Sequence, residues 1–432
     1  MKSARTLYIC YFGLREPLVQ TQVLPYLRQL QSASVQVSLL TFEPRFKETW
    51  TAGEIAKQRA ALDAEGISWH FRKYHKWPSL PATIYDMSAG AWTILGIMRR
   101  EGVSILHARN HVPAVMSAIA RKFKQAQTVF DIRGFMPEEY TDAGVWPANG
   151  YLYRGLKRVE RYLLRNSDAF VLLTEKAREL VFPGSTDTDQ QGRPIEVIPC
   201  CVDFARFETV AQVSRESLRE ELNVTNRRVI VYVGSFGGWY LTDEMTEFLA
   251  VAHEQDAATF SLILTQSPRQ MVIDRMSSLG IEPQDFLVTQ VTPGEVPRYL
   301  KAADIAISFI KPCYSKQASS PTKIAEYLAS GLPIVCNAGV GDLDKLIEEK
   351  NVGALLREFT PQAYLQALNE IDLLRDDATM AERRGIARQE FDLVGVGRTR
   401  YRRLYQRLAD GAARASQELG RAHLPNHELD GS

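Results

Sequence analysis

Thirteen short runs of consecutive aliphatic, aromatic and β-branched residues punctuate the chain, separated by longer stretches whose apolar positions recur at helical spacing. Seven fall in the first half: RTLYICYF, VQVSLLTF, ISWHFRKY, VSILHARN, TVFDIRG, AFVLLTE and IEVIPCCVD. Six follow: VIVYVGS, TFSLILTQ, FLVTQV, DIAISFI, PIVCNAG and VGALLRE. Runs that are apolar on successive positions are what strands covered on both faces require, and alternation with helices builds parallel sheets. The pattern predicts an α/β chain with two doubly wound sheets. The polar helical segment SRESLREELNV separates them, so the boundary is expected between about Ile195 and Arg227. GRTRYRRLYQRL reads as one more helix, and from Gly411 onward the chain reads as a tail.

A length of 432 residues fits two domains better than one core. The balance of 52 Lys plus Arg against 51 Asp plus Glu leaves a net charge of +1, so no global field draws the chain to nucleic acid or anionic lipid. No nucleic-acid partner is expected. Cys10, Cys200, Cys201, Cys313 and Cys336 show no Cys-x-x-Cys spacing and read as free thiols of a reducing compartment. The start MKSARTLYICYFGL is too short and too soon interrupted for a secretory signal, and no run reaches the roughly 20 apolar residues of a membrane span. A cytoplasmic protein is expected, at most peripheral at the inner membrane face. The basic side of YLYRGLKRVERYLLRNSD reads first as a solvated face, with contact to anionic lipid or a lipid-linked acceptor as the alternative.

The stretch SSPTKIAEYLASGLPIV lies between two predicted strands, so its helix begins at the carboxyl edge of a sheet, where ligands bind. Ser320 suits the N-cap, Pro321 the first helical position, and Gly331 with Pro333 the stop. Ile324, Tyr327 and Leu328 share a packing face. The amides of Thr322 and Lys323, the hydroxyls of Ser319, Ser320 and Thr322, and the Lys323 charge together suit an anion. On the helix alone, Lys323 could equally reach water or pair with Glu326.

PTKIAEYLASGLPIV resembles the donor-binding motif of family 4 glycosyltransferases, retaining enzymes of the GT-B fold that use nucleotide-diphosphate sugars. TLYICYFG resembles that family's first strand and glycine turn, with Gly13 in the turn. IEVIPCCVDFARF resembles its Ile-Pro-Asn-Gly-Val-Asp segment, VIVYVGSFGGWY its nucleotide-domain strand and loop, and FLVTQVTPGEVPRYLKAADIAISF the stretch whose loop meets the base near Val291. The resemblance implies a first domain over residues 1–200 that binds the acceptor, joined by a C-terminal helix over 385–410. It implies a nucleotide-sugar domain over 201–385, with 411–432 as the tail. It also implies that the helix start holds the diphosphate and Glu326 the ribose hydroxyls, with no obligatory metal or other cofactor. The donor is then a nucleotide sugar and the acceptor a glycan or a lipid-linked saccharide.

Two departures from the family stand out. Ala318 occupies the place of a first motif glutamate, and the loop Gly234, Ser235, Phe236, Gly237, Gly238, Trp239 lacks the usual arginine and lysine. Gly237 and Gly238 would instead let backbone amides approach the phosphates, which leaves the charge to Lys323 with Lys316 and Arg133. Asp131 and Arg133, just past an apolar strand, are expected in the catalytic site, the alternative being an ion pair that orders the loop. His107 and Arg109 are placed on the acceptor side or in packing. His111 lies four positions on, but two histidines without a third ligand do not make a metal site. Gly341 and Asp342 follow a glycine loop that in the family meets the donor sugar, so Asp342-Leu343-Asp344 is read without a metal; Asp187-Thr188-Asp189 reads as a solvated turn. A sugar-nucleotide epimerase or hydrolase on the same fold, or a scaffold that has lost its chemistry, are the alternatives.

Overall fold

A computed structural model describes residues 5–32 and 35–422. The thirteen apolar runs become thirteen strands in two sheets. The first contains β1 (Arg5–Cys10), β2 (Gln36–Glu43), β3 (Ile67–Lys73), β4 (Ile105–Arg109), β5 (Gln127–Asp131), β6 (Ala169–Leu172) and β7 (Ile195–Val197), in the order β3-β2-β1-β4-β5-β6-β7. The second contains β8 (Arg228–Val233), β9 (Thr259–Leu264), β10 (Phe286–Thr289), β11 (Ile305–Ser308), β12 (Ile334–Asn337) and β13 (Gly353–Leu356), in the order β10-β9-β8-β11-β12-β13. The strand pairings are parallel throughout, from Tyr8 opposite His107 in the first sheet to Val231 opposite Ala306 in the second. This is the doubly wound order, and it reverses between β1 and β4 and again between β8 and β11, where loops part and a crevice opens.

Burial on both faces explains the unbroken apolar runs. Leu7 and Ile9 point into one layer with Ile94, Leu95 and Met116, while Tyr8 and Cys10 point into the other with Leu24, Leu27 and Tyr401. The chain crosses between the sheets twice. After the helix Asp377–Phe391, which packs on the second sheet through Ile386 and Ala387, residues 392–398 return it to the first. There the helix Thr399–Ala422 inserts Tyr401, Leu404, Tyr405 and Leu408 into the core, and Glu196 accepts from Arg403 Nε at 2.6 Å and Nη2 at 2.5 Å.

Two expectations about this end are corrected. The single helix over 385–410 is two helices, because Asp392 turns the chain by accepting from Gly395 N at 2.9 Å. Gly397 lies so close to Tyr26 that a β-carbon would meet its ring at 2.8 Å. The expected tail continues the last helix as far as Ala422, and 423–432 lie outside the described residues.

Candidate functional site

The helix Thr322–Ala329 starts at the carboxyl edge of the second sheet, between β11 and β12. Its first residue is Thr322, with Pro321 in the cap position and no side chain capping it. The Ser320 hydroxyl, expected as the cap, instead accepts from Cys200 N at 3.1 Å and so ties the helix start to the segment leaving β7. The amides of Thr322 and Lys323 therefore open the helix uncapped, and an uncapped first turn is an anion site in waiting.

A helical side chain leans toward the N-terminus of its helix, which carries the Lys323 ammonium past the first turn toward the loop after β8. Lys323 is 7% exposed, and its Nζ has no hydrogen-bond partner. It lies 4.3 Å from the ring centre of Tyr232 and 4.2 Å from that of Tyr240. Gly234, at φ 148°, makes room for it: a β-carbon there would stand 2.5 Å from Nζ. Ser235 stiffens the turn, its carbonyl accepting from Tyr232 Oη at 2.6 Å. Gly237 and Gly238 continue it in left-handed conformation with open space beside them. Tyr240 bridges back to Ile310 beyond β11, so the loop spans the crevice where the strand order reverses.

Burial pushes the Lys323 ammonium down to about 7, with Glu326 acting the other way. The two ring faces also favour the charged form. A bound anion raises the pKa again, so binding takes up a proton once pH exceeds the free value. The expected result is an affinity for a nucleoside diphosphate that falls between about pH 7.5 and about pH 9, by as much as about tenfold per unit. Calorimetry in buffers of different ionisation enthalpy checks this, since the diphosphate itself no longer titrates there.

Glu326, one turn further on, is buried and raised by that burial, against which Arg206 acts through Nη1 at 3.2 Å from Oε1. Arg206 also donates to the Pro293 carbonyl. A cleft of about 350 Å³ opens beside this pair, lined by Arg15 and Gln20 from the first half and by Arg206, Gly294, Thr322 and Glu326 from the second. The loop after β10 forms its rim. Gln266 Nε2 donates to the Val291 carbonyl at 2.9 Å, fixing that loop, and Val291 itself is half-buried.

On the other side of the helix start the two halves are in contact. Lys316 Nζ lies 3.9 Å from the Trp239 ring centre and 3.5 Å from Glu139 Oε1. The Ser319 carbonyl lies against Gly341, where a β-carbon would stand 2.0 Å away, so only glycine fits that turn. Asp342 accepts from Glu175 N at 2.7 Å and Lys176 N at 3.1 Å, serving the first turn of the helix Glu175–Val181. Its carboxylate thus joins the two halves and does not face the crevice as a free acid. Ala318 packs with Ala108, Phe130, Phe135 and Phe170 in a cluster of the first half, which explains an apolar residue where the motif has a glutamate. Gly13 follows β1 and rests on Pro44 and Glu43, and Leu14 N donates to Glu43 Oε1 at 3.0 Å.

Asp131, Arg133, His107 and Arg109 do come together, but inside the first sheet's core. Asp131 is wholly buried, with Arg133 Nε 2.7 Å from Oδ1, and Tyr8 Oη and His107 Nε2 at 3.2 and 3.3 Å from Oδ2. Arg109 Nη1 stands 4.0 Å from the same oxygen. The last helix closes the cluster: Arg133 Nη2 donates to Tyr401 Oη at 2.8 Å, and His107 Nδ1 meets Tyr405 Oη at 2.9 Å. Burial alone would raise the Asp131 carboxyl; Arg133, His107 and Arg109 override it and hold it below the usual carboxylate range. Burial also lowers His107. The expected acceptor-side role of His107 and Arg109 is thereby corrected to packing, since neither reaches the surface, and Asp131 with Arg133 is an internal ion pair. Among the described residues no group of three or more His, Cys, Asp or Glu is arranged to hold a metal ion.

The sequence pointed to Lys323, Glu326 and Gly234 but missed three partners. Tyr232 and Tyr240 flank the glycine loop as apolar-strand and loop residues, and Arg206 hides in VDFARF, where only its position after a family-like segment signalled it.

Comparison with known proteins agrees with this architecture. Residues 19–191 match a family model described as a glycosyl transferase 4-like domain, and residues 214–389 one described as glycosyl transferases group 1. No curated protein matches in sequence. Among solved structures, a sucrose-phosphate synthase from Thermosynechococcus elongatus is similar with a TM-score of 0.71 at 14% identity, over 94% of this chain and 100% of that one. HepE from Anabaena, in complex with UDP and glucose, gives 0.63 at 16% over 95% and 99%. WaaG, a glycosyltransferase involved in lipopolysaccharide biosynthesis, gives 0.62 at 16% over 90% and 97%. With two doubly wound sheets facing across a crevice and both halves matched in order, the chain is a GT-B glycosyltransferase of the group 1 type, with a glycosyl transferase 4-like domain ahead of it.

Proposed function

We propose that the chain moves a sugar from a nucleotide-diphosphate sugar to a hydroxyl of a glycan or lipid-linked saccharide, with retention of configuration. The observation that carries this reading is the buried, unpartnered Lys323 ammonium lying past an uncapped helix start. A buried cation without a partner is costly, and a diphosphate repays it. The first domain, residues 1–200, takes the acceptor and residues 201–385 the donor. The cleft beside Glu326 takes the nucleoside, with Glu326 on the ribose and the Val291 loop at the base. UDP is a reasonable first candidate because HepE, similar in fold, is described with UDP and glucose.

In the reaction the bond between the anomeric carbon and the β-phosphate oxygen breaks, and its electrons pass to the diphosphate. The acceptor oxygen bonds to the same face of the carbon, and its proton passes to the leaving phosphate oxygen. The Thr322 and Lys323 amides, the Lys323 ammonium and Lys316 meet the developing charge, so this reading needs no metal or other cofactor. The amides after Gly237 close over the phosphates, and the Gly341 turn borders the sugar. The free, mostly buried cysteines fit a cytoplasmic setting, and no described helix is long and apolar enough to cross a membrane.

Mass spectrometry of products from a panel of nucleotide sugars, with and without glycan acceptors, tests the reading. Transfer in the presence of acceptor supports it; conversion of donor to its epimer without acceptor overturns it. Glu326→Ala is expected to weaken nucleoside diphosphate binding by about tenfold or more while leaving pyrophosphate binding nearly unchanged, as read by competition. Equal losses for both ligands would remove Glu326 from the nucleoside end.

A further inference from the structure

The helices Ser79–Glu101 and His111–Arg121 cover one face of the first sheet, and the outer side of the longer one exposes Leu80, Ile84, Tyr85 and Trp92 beside Ser88. Trp77, just ahead of it, is 84% exposed, and Trp92 is 64% exposed. Phe123, at 60%, stacks on Trp92 with ring centres 5.8 Å apart, which joins the two helices into one patch. Ile84, Tyr85, Trp92 and Arg99 lie on a single side of the helix by their spacing, with Leu80 at its edge. Scattered surface aromatics need no explanation, but a joined patch of this kind does.

The charges around the patch are mostly basic; Glu101, at the helix end, is half-buried with its carboxylate 2.6 Å from His70 Nε2. Lys73, Lys76, Arg99, Arg100 and Lys122 are exposed. From residue 73 to residue 100 the only acid is Asp86, which is wholly buried and accepts from Tyr11 Oη at 2.8 Å and from His75 N at 3.0 Å. Residues 112–127 contain no acid at all. We infer that this face docks the protein on an anionic lipid surface, with Trp77, Trp92 and Phe123 in the headgroup layer and the surrounding lysines and arginines on lipid phosphates. Charge complementarity selects lipid over a second copy of the chain, which would bring the same basic ring against itself.

The basic helix that the sequence offered for such a contact is a separate surface, on which Tyr151, Arg158, Arg161 and Arg165 are exposed. In the helix Tyr151–Asn166, Leu163 packs inward and Lys157 is held by Glu138 and Glu160. β3 leads into the Ser79–Glu101 helix, so the Trp77 end of the patch lies at the carboxyl edge of the first sheet, the edge on which the crevice opens. Resting on the proposed function, this geometry favours the lipid-linked class of acceptor.

Flotation of the full chain with vesicles of phosphatidylglycerol, and separately of phosphatidylcholine, tests the inference. The protein is expected to float with the anionic vesicles alone and to be released by salt. The exposed-site variant Trp77→Ser, Trp92→Ser, Phe123→Ser is expected to bind about tenfold less or weaker while retaining nucleoside diphosphate binding as a measure of folding. No flotation, undiminished flotation of the variant, or a patch-dependent dimer by light scattering in place of flotation would overturn it. Flotation without sugar transfer removes the transferase reading and leaves the lipid surface; transfer without flotation does the reverse.

Discussion

Lys323→Ala lowers turnover by about two to three orders of magnitude, the range seen when one preorganised group is removed from a developing negative charge. The size follows from the loop after β8. Where the family resemblance implies an arginine and a lysine, this chain has Ser235 to Trp239, and Lys323 stands between Tyr232 and Tyr240 with no partner of its own. Lys316 is also at hand, but it already lies on Trp239 and near Glu139. Lys323→Arg does not rescue, because the guanidinium is larger than the space that Gly234 leaves. Steady-state kinetics on the two variants, at saturating donor, checks both statements. A loss below about threefold would mean that the charge on the leaving group is met elsewhere.

Asp131→Asn destabilises the protein by about 3–5 kcal/mol, the cost of removing one side of a buried ion pair. The carboxylate answers Arg133 and Arg109 together, and Tyr8 and His107 complete its shell. With the charge gone, two guanidinium groups face each other inside the core, and the docking of the last helix through Tyr401 weakens. The urea midpoint of unfolding is the readout, and nucleoside diphosphate affinity below the transition stays close to that of the unchanged protein. Unchanged stability with turnover abolished would return Asp131 to the reaction itself.

The contrast between these two residues shows what a sequence of this kind carries. Thirteen apolar runs located thirteen strands because a strand covered on both faces has no polar side to blur the signal. The helix start was legible for a similar reason, as Pro321, Gly331 and Pro333 bracket it and the lysine breaks the local charge rule. The Asp131 cluster looked like a sheet-edge site because Asp-x-Arg follows a strand. Its burial depends on Tyr401 and Tyr405, about 270 residues away in sequence, arriving from the last helix, and no local pattern announces a contact of that range. The same holds for Asp342, whose partner amides at Glu175 and Lys176 belong to the other half of the chain. The cap moved from Ser320 to Pro321 for the same reason, since Cys200 N claims the hydroxyl. Surface chemistry escaped as well: nothing in the sequence says that Trp92, on one helix, and Phe123, in the turn after another, would meet on the outside.

The most direct measurement is calorimetric titration of the common nucleoside diphosphates, one after another, into the unchanged protein and into Lys323→Ala. The expected result is binding of at least one of them to the unchanged protein, weakened by about tenfold or more in the variant, with proton uptake above about pH 7 that the variant lacks. Binding that is equally tight in both proteins, or no binding of any nucleoside diphosphate to the unchanged one, would contradict the assignment of the Thr322–Ala329 helix start as the diphosphate site.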